Sequence, residues 1–107
     1  MPRCPSKILE RIRKLAAERE VRFTLKARRE LADLELHLDE EDACGVLVNL
    51  SAGDSPERIK AAATGEWMYV FKPQVVQTIL YVKVIVRKAC IVISFHEDEN
   101  DNNEEDQ

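Results

Sequence analysis

The feature that most constrains this chain is the stretch over residues 66–96. It reads Glu66-Trp-Met-Tyr-Val-Phe-Lys-Pro, then Gln77-Thr-Ile-Leu-Tyr-Val-Lys-Val-Ile-Val-Arg, then Cys90-Ile-Val-Ile-Ser-Phe-His. β-Branched and aromatic residues dominate it, and Pro73 and the Arg87-Lys88 corner punctuate it, so it predicts three successive β-strands. Side chains alternate faces along a strand, so each run can be sorted by parity. One set holds Trp67, Tyr69, Phe71, Leu80, Val82, Val84, Val86, Ile91, Ile93 and Phe95. It is apolar throughout and is expected to face the core. The other set holds Met68, Val70, Lys72, Ile79, Tyr81, Lys83, Ile85, Cys90, Val92, Ser94 and His96. It mixes apolar residues with a phenol, two ammonium groups and an imidazole. Any chemistry is expected on that second face.

Three helices are expected ahead of the strands. Ser6 is placed as the N-cap of a first helix over residues 7–20, with Ile8, Leu9, Ile12, Leu15 and Ala16 forming its apolar stripe. Lys7, Arg11, Arg13, Lys14 and Arg19 make its outer face positive, and solvation is the plainer reading of that face. Val21-Arg22-Phe23 is a short extended piece. Thr24 caps a second helix running to about Glu35, which begins with Lys26, Arg28 and Arg29 and takes Leu25, Ala27, Leu31, Ala32 and Leu34 as its apolar positions. Asp39 caps a third, with Glu40, Glu41 and Asp42 in the first turn where the helix dipole favours acids; capping explains them better than a metal site does. His37 falls in an interhelical turn and reads as structural. Residues 57–64 are ambiguous between a short helix after Pro56 and an extra strand.

The 107 residues suffice for one domain with a single modest core. The expected fold is α+β: three N-terminal helices packed on one face of an antiparallel sheet that ends in a three-strand meander. Residues 1–96 form the domain, and 97–107 an acidic tail expected to be disordered. The formal net charge of −4 hides this division. Seven of the twenty acidic residues lie in the tail, leaving 16 basic against 13 acidic residues in the domain. A mildly basic body points weakly toward nucleic acid. No apolar run approaches the roughly 20 residues of a membrane-spanning helix. The opening Met-Pro-Arg-Cys-Pro-Ser-Lys lacks the apolar run of a signal peptide, so cytoplasmic residence and no membrane partner are expected. Cys4, Cys44 and Cys90 are widely spaced, with no paired spacing for zinc, and Cys44 and Cys90 sit at apolar positions as plain core residues.

The order helix, short strand, helix, helix, three strands resembles the MqsR family of toxins from bacterial toxin–antitoxin modules. Trp67, Val70 to Pro73, Leu80-Tyr-Val-Lys-Val-Ile-Val and Ile91-Val-Ile-Ser-Phe fall without a gap on the family's W-x-x-V-Y-R-P, V-Y-L-K-I-T-V and L-I-V-S-F segments. Val21-Arg-Phe-Thr is similar to its V-R-T-T. The resemblance covers roughly residues 6–96, weakly at 52–65. It implies a RelE-like fold and a ribonuclease that cuts messenger RNA, held in check by a cognate antitoxin protein. The family's strand tyrosine falls on Tyr81. Its lysine just past the last strand falls on His96, and its glutamine after the tryptophan falls on Met68. Another family lysine belongs in the weak middle, where Arg58 and Lys60 compete for it.

RNA cleavage without a metal needs a base for the 2′-OH, cations for the phosphate and an acid for the leaving 5′-oxygen. Parity puts Tyr81, Lys83, Lys72 and His96 on one face, and no carboxylate lies on it between Lys72 and His96, so no metal and no cofactor are expected. Histidine suits either proton role, while a phenol suits positioning or acid donation. The expected catalytic set is Tyr81, His96 and Lys83, with Lys72, Arg58, Lys60 and Met68 contacting RNA. The alternative is a non-catalytic RNA- or protein-binding module of the same fold. A small-molecule enzyme is the weakest reading, for want of a glycine-rich phosphate loop or nucleophile motif.

Overall fold

The computed structural model describes residues 6–54 and 57–98. Expectations that rest on Cys4, on Pro56 and on residues 99–107 of the acidic tail lie outside the described residues. Three helices come first, α1 (Ser6–Ala17), α2 (Leu25–Asp33) and α3 (Glu40–Val48), with strand β1 (Val21–Phe23) between the first two. A 3-10 turn (Ala52–Asp54) then leads to β2 (Glu57–Lys60), β3 (Trp67–Phe71), β4 (Gln74–Val75), β5 (Thr78–Val86) and β6 (Cys90–Glu97).

Local chemistry fixes the helix ends. α1 begins with Ser6 already helical and stops at Ala17, three residues before the expected end. Arg19 takes a left-handed φ of 62°, the Glu20 N–H donates to the Leu15 carbonyl and the Arg19 N–H to that of Ala16. That is a Schellman closure with no glycine to announce it. Thr24 caps α2 as expected, its hydroxyl accepting the Ala27 N–H at 3.1 Å. Asp39 and Asp42 cap α3 reciprocally, each carboxylate accepting the other's backbone N–H.

The sheet is mixed, which corrects the antiparallel expectation. Its order is β1-β6-β5-β3-β2, with β4 folded onto β5 as a small hairpin. β3, β5 and β6 form the expected antiparallel meander, but β1 joins β6 in parallel, Val21 opposite Cys90 and Phe23 opposite Val92. Residues 57–60 resolve the earlier ambiguity as a strand, because pairing with β3 overrides the helical preference of the alanines that follow. Gly65, at φ +77°, brings that hairpin round.

All three helices contribute to one core. Ile12, Leu15 and Ala16 of α1, Ala27 and Leu31 of α2, and Ala43 and Leu47 of α3 pack with Tyr69, Phe71, Leu80, Val82 and Val84 of the sheet. Leu25 is instead exposed. On β6 the parity reading fails halfway. Lys83 is opposite Ser94, but Val84 is opposite Val92, so Ile93 is an extra residue in the ladder. This β-bulge exchanges the faces of the strand before it. Cys90 and Val92 are fully buried in the core, while Ile91 and Ile93 are only half-buried. After the bulge the expected order returns, with Phe95 buried and His96 opposite Tyr81. Trp67 is a second correction: expected in the core, it is 37% exposed, at the end of β3 beyond the packed residues.

The corrected faces give a direct test. Val92→Lys would bury an unpaired ammonium and should abolish soluble expression, whereas Ile91→Lys should remain folded. Soluble Val92→Lys alongside insoluble Ile91→Lys would restore the unbroken alternation and remove the bulge.

Candidate active site

The face of the sheet away from the core cluster carries the polar residues that parity selected. Tyr81 and His96 lie opposite one another on β5 and β6, and their rings stack with centroids 5.1 Å apart and planes 12° from parallel. Two places along β5, Lys83 stands on the same face between Val70 of β3 and Ser94 of β6. Val70 and Ser94 are buried and Lys83 is half-buried.

The imidazole is oriented by its own strand. His96 Nδ1 lies 2.8 Å from the Glu97 carbonyl oxygen. A carbonyl can only accept, so Nδ1 must carry the proton and donate it. In the neutral ring Nε2 is then left with its lone pair, the form a general base needs.

Two residues that sequence reasoning did not select join this constellation from α2. Lys26 Nζ donates to Ser94 Oγ at 3.1 Å and pairs with Glu30 at 2.8 Å. Glu30 in turn accepts the backbone N–H of Phe95 at 2.9 Å. β1 covers the edge of β6 only as far as Val92, so the Phe95 N–H would lack a strand partner, and the carboxylate takes that role. Burial works to raise the Glu30 carboxyl. The Lys26 hydrogen bond, the Phe95 N–H and the charges of Lys26 and His96 together outweigh it and hold the group below its ordinary value of 4.5. These contacts span more than sixty residues of sequence, and only the basic start of α2 hints at them.

Lys72 is less available than expected. Its ammonium lies 3.6 Å from the carboxylate of Asp98, which is buried and whose N–H donates to the Ile79 carbonyl. A carboxylate therefore reaches this face from just past β6, which runs one residue beyond His96 to Glu97. Met68 faces the same side as Lys83, paired with Ile59. Arg58 and Lys60 do not. They are opposite Tyr69 and Trp67, which puts them on the other face, where Arg58 stacks over the Trp67 ring. Beside His96 runs a groove of about 840 Å³ lined by Lys26, Glu30, Asp33, Glu35 and Glu97 among others. Its carboxylates make it unfavourable for an anion such as phosphate.

The two buried thiols have no place in this arrangement. Cys90 is fully buried and its thiol is pushed up to about 12 by that burial. Among the described residues no three of His, Cys, Asp and Glu are grouped to hold a metal ion. No helix among them is long and apolar enough to cross a membrane.

The family model described as motility quorum-sensing regulator, toxin of MqsA, matches residues 4–97. A search of curated proteins found no match.

Because the Glu30 carboxyl is depressed in the fold, its contribution to stability is present above about pH 4.5 and is lost as pH falls below that value. Thermal melts from about pH 6 to about pH 3 should therefore show wild type losing more Tm than Glu30→Gln, whose amide oxygen can still accept the Phe95 N–H. Parallel curves for the two proteins would contradict this linkage.

Proposed function

The chain belongs to the MqsR family of toxins, and on that premise we propose that it is a cytoplasmic, metal-independent endoribonuclease of RelE-like fold that cuts messenger RNA and is silenced by a cognate antitoxin protein. The observation that carries the chemistry is the Tyr81–His96 stack with His96 Nδ1 tied to the Glu97 carbonyl.

His96 Nε2 takes the proton from the ribose 2′-OH, and the freed oxygen attacks the adjacent phosphorus. As the P–O5′ bond breaks, the Tyr81 hydroxyl gives its proton to the departing 5′-oxygen and recovers one from water. The products are a 2′,3′-cyclic phosphate and a 5′-hydroxyl. Lys83 meets the negative charge that grows on the non-bridging oxygens, where a fixed cation is worth most. Lys26, held by Ser94 and Glu30, adds positive charge at the β6 edge. Lys72 binds phosphate once it is exchanged from Asp98. Met68 offers neither a proton nor a hydrogen-bond donor, and its part is apolar contact with a base.

The alternative of a binding module without catalysis makes a different prediction for the purified protein. Incubated with RNA in EDTA, the wild type should produce cyclic-phosphate ends, and Tyr81→Phe should fold normally and cut at least about tenfold more slowly, a floor set below the roughly 10²–10⁴-fold contribution typical of acid–base groups. Binding without products, or full-rate cutting by Tyr81→Phe, would overturn the assignment.

A further inference from the structure

The residues that the active face does not use form a second constellation on the opposite side of the sheet. Lys60 stands opposite Trp67, and Arg58 opposite Tyr69, so all four side chains share one face at the β2 edge. Tyr69 is buried against the core, but Trp67 keeps 37% of its surface exposed. The Arg58 guanidinium carbon lies 4.2 Å from the centre of the indole, and Lys60 Nζ lies 5.2 Å from it. Both are within cation–π range.

Three further observations separate this group from an ordinary surface cluster. First, Arg58 Nε is buried with no hydrogen-bond partner, so the stack on Trp67 holds the guanidinium without satisfying it. Second, the ion pairs among the described residues neutralise Arg19, Lys26, Arg28, Lys72 and Arg87, and neither Arg58 nor Lys60 belongs to any of them. Third, the acids that flank the cluster in sequence lie on the other face or are already engaged. Glu57 shares the face of Val70, and Glu66, beside Trp67, is held by two hydrogen bonds from Arg87 at 2.9 and 2.7 Å. What remains is a net positive spot around a partly exposed indole beside β2, the outermost of the described strands.

We propose that Trp67, Arg58 and Lys60 form a single-stranded RNA subsite, distinct from the Tyr81–His96 centre. One nucleobase stacks on the exposed indole, and the phosphates flanking it sit on the two cations. Aromatic stacking combined with unpaired basic groups is the recurrent means of holding single strands without reading sequence. The inference rests on the RNA-cleaving reading for its ligand class. Phe71 pairs with Val82, so the level of Tyr81 on β3 is that of Lys72, five residues from Trp67 and about 17 Å along the strand. A bound strand of a few nucleotides spans that distance by passing over β2, the outermost strand. The subsite would then hold substrate in register while the opposite face does the chemistry.

Trp67 is the sole tryptophan, so its fluorescence reports on this spot alone. The probe is a 2′-O-methyl oligonucleotide of about ten residues, which cannot be cut because the nucleophile is blocked. At about 50 mM salt it should quench Trp67 in a saturable way, and the quenching should weaken as salt rises. By anisotropy of a labelled probe, Trp67→Leu should bind about fivefold or more weakly, the loss expected for one stacked base. Lys60→Glu, an exposed edge position, should also weaken binding and serves if Trp67→Leu fails to fold. Binding by anisotropy with no change in Trp67 fluorescence, or no binding at low salt, would overturn the subsite. Equal quenching by poly-glutamate and by the oligonucleotide would also overturn it, assigning the spot to an acidic protein partner. The two readings fail separately. Quenching without any RNA cleavage removes the nuclease and keeps the subsite, whereas cleavage with wild-type binding by Trp67→Leu and Lys60→Glu removes the subsite alone.

Discussion

The antiparallel ladder between β5 and β6, with one extra residue at Ile93, is the constraint on which the rest of the structure depends. Strand β5 alternates cleanly, with Leu80, Val82 and Val84 fully buried and Tyr81 and Lys83 between them. Strand β6 could not serve both faces with an unbroken alternation. Cys90 and Val92 must fill the core beside Val84 and Val86, and Phe95 must fill it beside Val82, yet Val92 and Phe95 are three residues apart. The bulge reconciles the two, because inserting one residue resets the parity. Its consequence for the opposite face is that Ser94 and His96 come round beside Lys83 and Tyr81. Core packing and the placing of the imidazole are thus coupled, and a change that removed the bulge would cost one or the other.

The second dependence is electrostatic. Where β1 stops covering the edge of β6, the backbone N–H of Phe95 is answered by Glu30, whose charge is balanced by Lys26, whose ammonium in turn reaches Ser94. α2 is fixed to the sheet by this chain of charge-assisted contacts as well as by Ala27 and Leu31 in the core. The same chain delivers a cation to the edge of the candidate site. On the other flank Asp98 does the reverse, occupying Lys72. The face therefore carries Lys83 outside any ion pair among the described residues, with Lys26 and Lys72 each held by a carboxylate that a phosphate would have to rival.

Much of this was legible in the sequence, for identifiable reasons. The meander, the caps at Thr24 and Asp39, and the shared face of Tyr81, Lys83 and His96 follow from local chemistry and a period of two, which need no tertiary information. What escaped depends on partners distant in sequence. The bulge is decided by which of Ile91, Val92 and Ile93 the helices can bury, and all three are equally apolar. The parallel pairing of Val21–Phe23 with β6 joins segments nearly seventy residues apart. Arg19 closes α1 in a left-handed conformation that glycine normally announces, so the helix read three residues too long. Trp67 looked like core because it is large and aromatic, but the helices leave that end of β3 uncovered. Lys26 and Glu30 were visible only as the start and middle of a charged helix, since their roles depend on where α2 docks.

The most direct measurement is the register of β5 against β6 in solution, read from methyl–methyl nuclear Overhauser contacts. With the extra residue at Ile93, Ile85 is opposite Ile91, and a strong contact between their methyl groups is predicted, with Val92 contacting Val84 and the core. An unbroken ladder would instead bring Ile85 against Val92 and Val84 against Ile93. That second pattern would contradict the account, because Val92 would then share the outer face with Ile85 instead of filling the core.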